Sequence, residues 1–117
     1  MRHMSQLQAD IKHKKCVPCE GGVKPLTPDE YGPFLRRELK AWDVVGEKVL
    51  EKEYKFKDFK VALAFVNKVG ALAEEENHHP DILLHRWNRV DLRLSTHAIG
   101  GLSENDFIMA SKIDELG

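Results

Sequence analysis

No run of apolar residues in this chain approaches the roughly 20 that a membrane-spanning helix requires. No signal-peptide pattern opens it either, so a cytoplasmic protein is the expectation. Charge of one sign is missing as well: 18 Lys and Arg against 19 Asp and Glu leave a net charge of −1. That excludes a broad electrostatic footprint for direct nucleic-acid or anionic-membrane binding. Cysteine is scarce, with only Cys16 and Cys19, spaced as Cys-Val-Pro-Cys. A structural zinc site wants four ligands, and without a second cysteine pair His13 and a distant histidine would have to complete it. A free pair in an irregular lead-in is the simpler reading. Internal repeats are lacking too.

What remains is the composition of an ordinary globular protein, 42% hydrophobic and 32% charged. Its 117 residues suffice for one core and leave little room for a second. Residues 1–15 carry little periodic apolar content, and Pro18, Gly21, Gly22, Pro25 and Pro28 mark an irregular connection after them. The expected organisation is a flexible N-terminal extension over 1–25 followed by one domain over 26–117.

Within that domain the signals alternate between helical and extended. Thr27-Pro28-Asp29-Glu30 is a helix start with a capping box, predicting a helix from Pro28 to about Lys40 that must tolerate Pro33. Trp42 to Val45 reads as a short strand, and Val49 to Phe56 alternates as a half-buried strand should. Asp58 caps a second helix carrying Phe59, Ala62, Leu63, Val66, Val69 and Ala73 at helical spacing, to about Asn77. Ile82–Trp87 and Val90–Thr96 form a hairpin turning at Asn88-Arg89. Ser103-Glu104-Asn105-Asp106 caps a last helix. The order α-β-β-α-β-β-α predicts an α+β fold, a four-stranded antiparallel sheet with three helices on one face. Pairing its free edges across a two-fold axis would protect them.

The chemistry concentrates between Glu74 and Asp106. Glu74 and His78 stand four apart, so on a helix the carboxylate can hold that imidazole in a chosen tautomer. Pro80 disfavours the helical region at His79, which places His78 and His79 at a helix end. Imidazoles beside carboxylates suit proton transfer near neutrality, or metal binding. Adjacent helical residues diverge by about 100°, so His78 and His79 would not grip one ion together, and acid–base work without metal is the preferred reading. His3, His13 and His85 read as surface or satisfied residues, and Trp42 and Trp87 as core aromatics. Of Glu74-Glu75-Glu76, only Glu74 has the spacing to escape a solvated face.

Glu74, Asn77-His78-His79-Pro80, Trp87, Thr96-His97 and Asp106 together resemble the signature of the pterin-4a-carbinolamine dehydratases, also known as dimerisation cofactors of a homeodomain transcription factor. The resemblance extends to Trp42, Tyr54-Lys55-Phe56-Lys57-Asp58-Phe59, Asn88-Arg89-Val90, Ser95 and Gly101-Leu102-Ser103, and covers about Leu26 to the C-terminus. It implies dehydration of a 4a-hydroxytetrahydropterin to a quinonoid dihydropterin and water, in tetrahydrobiopterin recycling and without a cofactor. His79 and His97 are implied as acid and base, and His78 as a substrate-binding histidine. Glu74, Asp106, Thr96, Ser95 and Pro80 are implied in support, with Trp42 lining the pocket. A homodimer or homotetramer is implied, as are a transcription-factor partner and a nuclear as well as cytoplasmic setting. Binding such a partner as a non-catalytic module is the rival reading. Six residues separate Pro80 from Trp87 where some members have five, which predicts a bulge or longer loop there. Asn77 replaces an acid found in some relatives.

Overall fold

The computed structural model describes residues 9–16 and 23–117. Three α-helices and four strands follow in the predicted order: α1 (Pro28–Glu38), β1 (Asp43–Val45), β2 (Val49–Lys55), α2 (Phe59–Glu76), β3 (Asp81–His85), β4 (Arg89–Leu94) and α3 (Glu104–Leu116). Short 3-10 turns at Ala9–His13 and His97–Ile99 complete the described segments. The strands form one antiparallel sheet in the order β1-β2-β4-β3. The fold is therefore α+β, as the spacing of apolar residues predicts.

The pleat explains which side is covered. Leu50 on β2 and Val90, Leu92 and Leu94 on β4 are closed to solvent, while Glu53 and Arg93, on alternate positions, face out. Ala62, Phe65, Val69 and Ala73 of α2 join the same core. α3 runs through its middle, with every residue from Asn105 to Ser111 buried, polar ones included. Tyr31 stacks on Phe107 at 5.6 Å between ring centroids and Phe34 meets it edge-on at 6.3 Å, so α1 closes over α3. A helix enclosed on all sides can hold a carboxylate away from water, and Asp106 sits on its first turn.

Local chemistry sets the ends. Asp58 accepts the Val61 N–H at 2.9 Å and starts α2. Asn77 ends it in the left-handed region at φ 53°, ψ 41°, donating its backbone N–H to Ala73 O. This one residue turns the chain sharply ahead of the histidine pair.

Several expectations are corrected. The hairpin turns over the three residues Arg86-Trp87-Asn88, closed by the pair His85↔Arg89, and not at Asn88-Arg89; Arg86 and Trp87 both have positive φ (49° and 56°). Asn88 is thereby buried, with its side-chain amide and its backbone oxygen both bonded to the backbone of Phe56 at 2.8 Å. No bulge interrupts β3, whose pairing with β4 runs unbroken from Asp81↔Arg93 to His85↔Arg89. Trp87 is no core aromatic: on the turn, it is 64% exposed. The N-terminal segment does contribute to the core, because Ile11 is 1% exposed. Lys12 and Lys14 pair with Glu115 and Glu104 of α3 around it. Cys19 lies outside the described residues; Cys16 is free and half-buried.

Candidate active site

α2 brings Glu74 to its last turn, and the reversal at Asn77 separates the two histidines that follow. His78 turns inward. Its Nε2 lies 2.7 Å from Asp106 Oδ1, with side-chain exposures of 12% and 0%. A carboxylate only accepts, so Nε2 carries the proton and the tautomer of His78 is fixed. The other carboxylate oxygen of Asp106 accepts from Thr96 Oγ1 at 2.8 Å and from the Ser103 N–H at 2.9 Å. Thr96 in turn accepts from Ser103 Oγ at 2.7 Å. The buried charge of Asp106 is met by three donors, which is what its burial requires.

His79 turns outward. Its Nε2 lies 2.5 Å from Glu74 Oε2, both side chains being exposed. The pairing expected from the four-residue spacing, Glu74 with His78, is not formed. Because the helix stops at Glu76, His78 leaves the face it would have shared with Glu74, and His79 takes its place. The supposed 100° divergence on a helix is likewise replaced by a divergence that the left-handed Asn77 creates.

His79 and His97 meet at one cleft of about 150 Å³, lined also by Val49, Asp81, Arg93 and Ser95. His97 starts the 3-10 turn just beyond β4, held by the bridge between Thr96 and Gly101. His78 does not line that cleft; it is tied to Asp106. Pro80 is half-buried between His79 and β3. Asp81, Arg93 and Val49 are cleft residues that sequence reasoning missed. Their signal was available in the strand alternation, which puts Arg93, Ser95 and Asp81 on the uncovered face. A larger concavity of about 240 Å³ lies on the same face around Asp43, Glu51, Glu53 and Asp91, touching the first at Arg93. It is lined by no imidazole, so the smaller cleft is the better acid–base site.

Trp42, implied as pocket-lining, is instead 2% exposed in the core. Its indole N–H points to Asp114 of α3 at 3.1 Å, and Lys52 Nζ reaches the same carboxylate at 2.9 Å. The Tyr54 hydroxyl donates to it as well. Burial, then that bond and the charge of Asp114, push the Tyr54 hydroxyl far above its ordinary pKa. This cluster joins β2 to α3 and leaves Trp42 no face for a ligand in the histidine cleft.

The fold and site together define an α+β domain with paired imidazole–carboxylate groups at one end of its sheet. The chain belongs to the pterin 4 alpha carbinolamine dehydratase family, whose profile matches residues 24–116. It is 48% identical over 108 residues to a Rubrobacter xylanophilus protein provisionally named pterin-4-alpha-carbinolamine dehydratase, covering 92% of this chain and 99% of that one. An Alkaliphilus metalliredigens protein of the same provisional name is 46% identical over 106 residues, covering 91% and 95%. The crystal structure of a transcriptional coactivator/pterin dehydratase from Brucella melitensis superposes with a TM-score of 0.72 at 35% identity, over 80% of this chain and 98% of that one. A pterin dehydratase-like protein identified as a RuBisCO assembly factor in the alpha-carboxysome gives a TM-score of 0.57 at 27% identity, over 65% and 88%.

Proposed function

We propose that the protein is a dehydratase of 4a-hydroxytetrahydropterins, releasing water and the quinonoid dihydropterin in the recycling of a tetrahydropterin such as tetrahydrobiopterin. The observation that carries this is the meeting of His79 and His97 at one cleft, with the neighbouring His78 anchored by Asp106. One imidazole takes the proton from the ring nitrogen next to the carbinol carbon. Its electron pair forms the C=N bond, the C–O bond breaks, and the second imidazole protonates the departing hydroxyl to water. The two histidines end with exchanged protonation states and reset through solvent. No redox step or cofactor is needed. Glu74 accepts from His79 Nε2, leaving Nδ1 as the nitrogen available to substrate. Ser95 lies in the cleft wall, and the next residue, Thr96, is held by its bond to Asp106.

The test is the rate of 4a-hydroxytetrahydropterin loss, followed by ultraviolet absorbance in the presence of chelator. Wild type accelerates it, and His79→Ala and His97→Ala each lower turnover by about two to four decades with circular dichroism unchanged. Wild-type turnover in both variants would defeat the assignment.

A second reading has its own support: the Brucella neighbour is described as a coactivator and the carboxysome neighbour as an assembly factor. In that reading the domain, as a homodimer or homotetramer in the cytoplasm or nucleus, binds a protein partner. Partner capture that survives loss of His78, His79 and His97 would favour it over catalysis.

A further inference from the structure

The uncovered face of the sheet holds a second cluster, away from the catalytic histidines. Glu53 on β2 and Asp91 on β4 are direct cross-strand partners. Two carboxylates opposed in this way repel one another unless something neutralises them. Arg89 Nη1 takes one oxygen of Glu53 at 3.1 Å. The other oxygen faces His85 of β3, whose Nε2 lies 3.5 Å from Glu53 Oε2 and 3.1 Å from Asp91 Oδ1. Yet neither His85 Nε2 nor Asp91 Oδ1 makes a hydrogen bond, and both atoms are closed to solvent. Two shielded polar atoms thus face each other at close range without the geometry to satisfy one another.

A cation between them would satisfy both. We propose that Glu53, His85 and Asp91 form a binding site for one divalent transition-metal ion, zinc foremost. The three donor atoms lie within 4.8 Å of one another. At zinc bond lengths of roughly 2.0–2.2 Å, neighbouring ligand atoms on one ion stand about 3.0–3.5 Å apart. The two distances from His85 Nε2, 3.1 and 3.5 Å, fall in that range. An imidazole with two carboxylates suits zinc and its neighbours, whereas calcium and magnesium prefer oxygen alone. The ligands come from three adjacent strands, so the ion ties β2, β4 and β3 together across the face.

The experiment is titration of chelator-treated protein with Zn²⁺ against a chromophoric competitor, alongside thermal unfolding in excess Zn²⁺. Wild type binds one ion per chain and unfolds at higher temperature with zinc, because the ion binds only the folded chain. His85→Gln and Asp91→Asn each weaken binding at least tenfold and reduce the thermal shift, while His79→Ala/His97→Ala and Cys19→Ser leave both unchanged. Any of three results overturns the site: no binding at millimolar zinc, binding unaffected by His85→Gln, or binding lost with His79 and His97 or with Cys19.

Discussion

The Nε2–H of His78 donates to Asp106 at 2.7 Å across 28 residues of sequence, and this bond joins the end of α2 to the start of α3. Asp106 caps its own helix through the Ser103 N–H at the same time. One carboxylate therefore fixes a helix start, a loop and an imidazole.

Replacing it should cost both stability and turnover. In Asp106→Asn the amide nitrogen faces the His78 Nε2–H in one orientation and the two donors Thr96 Oγ1 and Ser103 N–H in the other, so at least one buried hydrogen bond is lost. We expect a loss of about 1–3 kcal/mol in urea unfolding. Dehydratase activity should fall as well, because Asp106 holds His78 beside His79 and Thr96 beside His97. A variant with wild-type stability would show that the second carboxylate oxygen of Asp106 is dispensable for the fold.

Glu74 should behave in the opposite way. Its pair with His79 is solvent-exposed, so Glu74→Gln should change stability by less than about 1 kcal/mol. Its effect belongs to chemistry: without a carboxylate to hold Nε2–H, His79 samples both tautomers. The kcat should drop, by less than in His79→Ala, with KM little altered. A kcat equal to wild type would leave Glu74 as a surface residue.

Much of this was legible in the sequence because it is local. The caps at Thr27, Asp58 and Ser103 lie within three residues of the groups they bond, and the strand faces follow from alternation along β2 and β4. The misreadings came where a distant group or a special backbone conformation decided. Asn77 ahead of the histidine pair is a residue that readily takes the left-handed region at a helix end, a signal the helical-face reading passed over, and that single torsion exchanged the partners of Glu74. Arg86-Trp87 is an unusual pair for two consecutive positive φ values, since neither is the Gly or Asn such turns favour. Ile11 is one apolar residue in a polar stretch; only the position of α3 shows why it is buried. Glu76, read as part of a solvated run, is buried because Lys112 on α3 lies opposite it.

That ion pair makes stability pH-dependent. Burial pushes the Glu76 carboxyl up, but hydrogen bonds from Lys112 Nζ at 2.6 Å and from the Cys16 N–H at 2.9 Å, with the charges of Lys112 and Lys15, hold it below its ordinary value of 4.5. A depressed folded value means the contribution is fully present above 4.5 and is lost as pH falls through the lower folded value. Glu76→Gln should destabilise the protein at pH 7 by about 1–3 kcal/mol, since Lys112 keeps an oxygen to bond but loses the opposing charge. The gap from wild type should narrow as pH drops below 4.5. Urea unfolding of both proteins across that range is the check, and a gap that stays constant with pH would remove Glu76 as its source.

Cys16 hangs on the same carboxylate. Burial first, then the negative charge of Glu76, push its thiol up to about 12 from 9.0. The reactive species is the thiolate, so at pH 8 its population falls about a thousandfold against an unperturbed thiol. In a Cys19→Ser background, iodoacetamide should modify Cys16 in the folded protein two to three decades more slowly, roughly, than in urea. Glu76→Gln should restore part of that rate by removing the charge. If folded and unfolded chains react alike, then the segment from Ala9 to Cys16 leaves its place on α3 too often to protect the thiol, and the anchoring of Ile11 in the core must be weak.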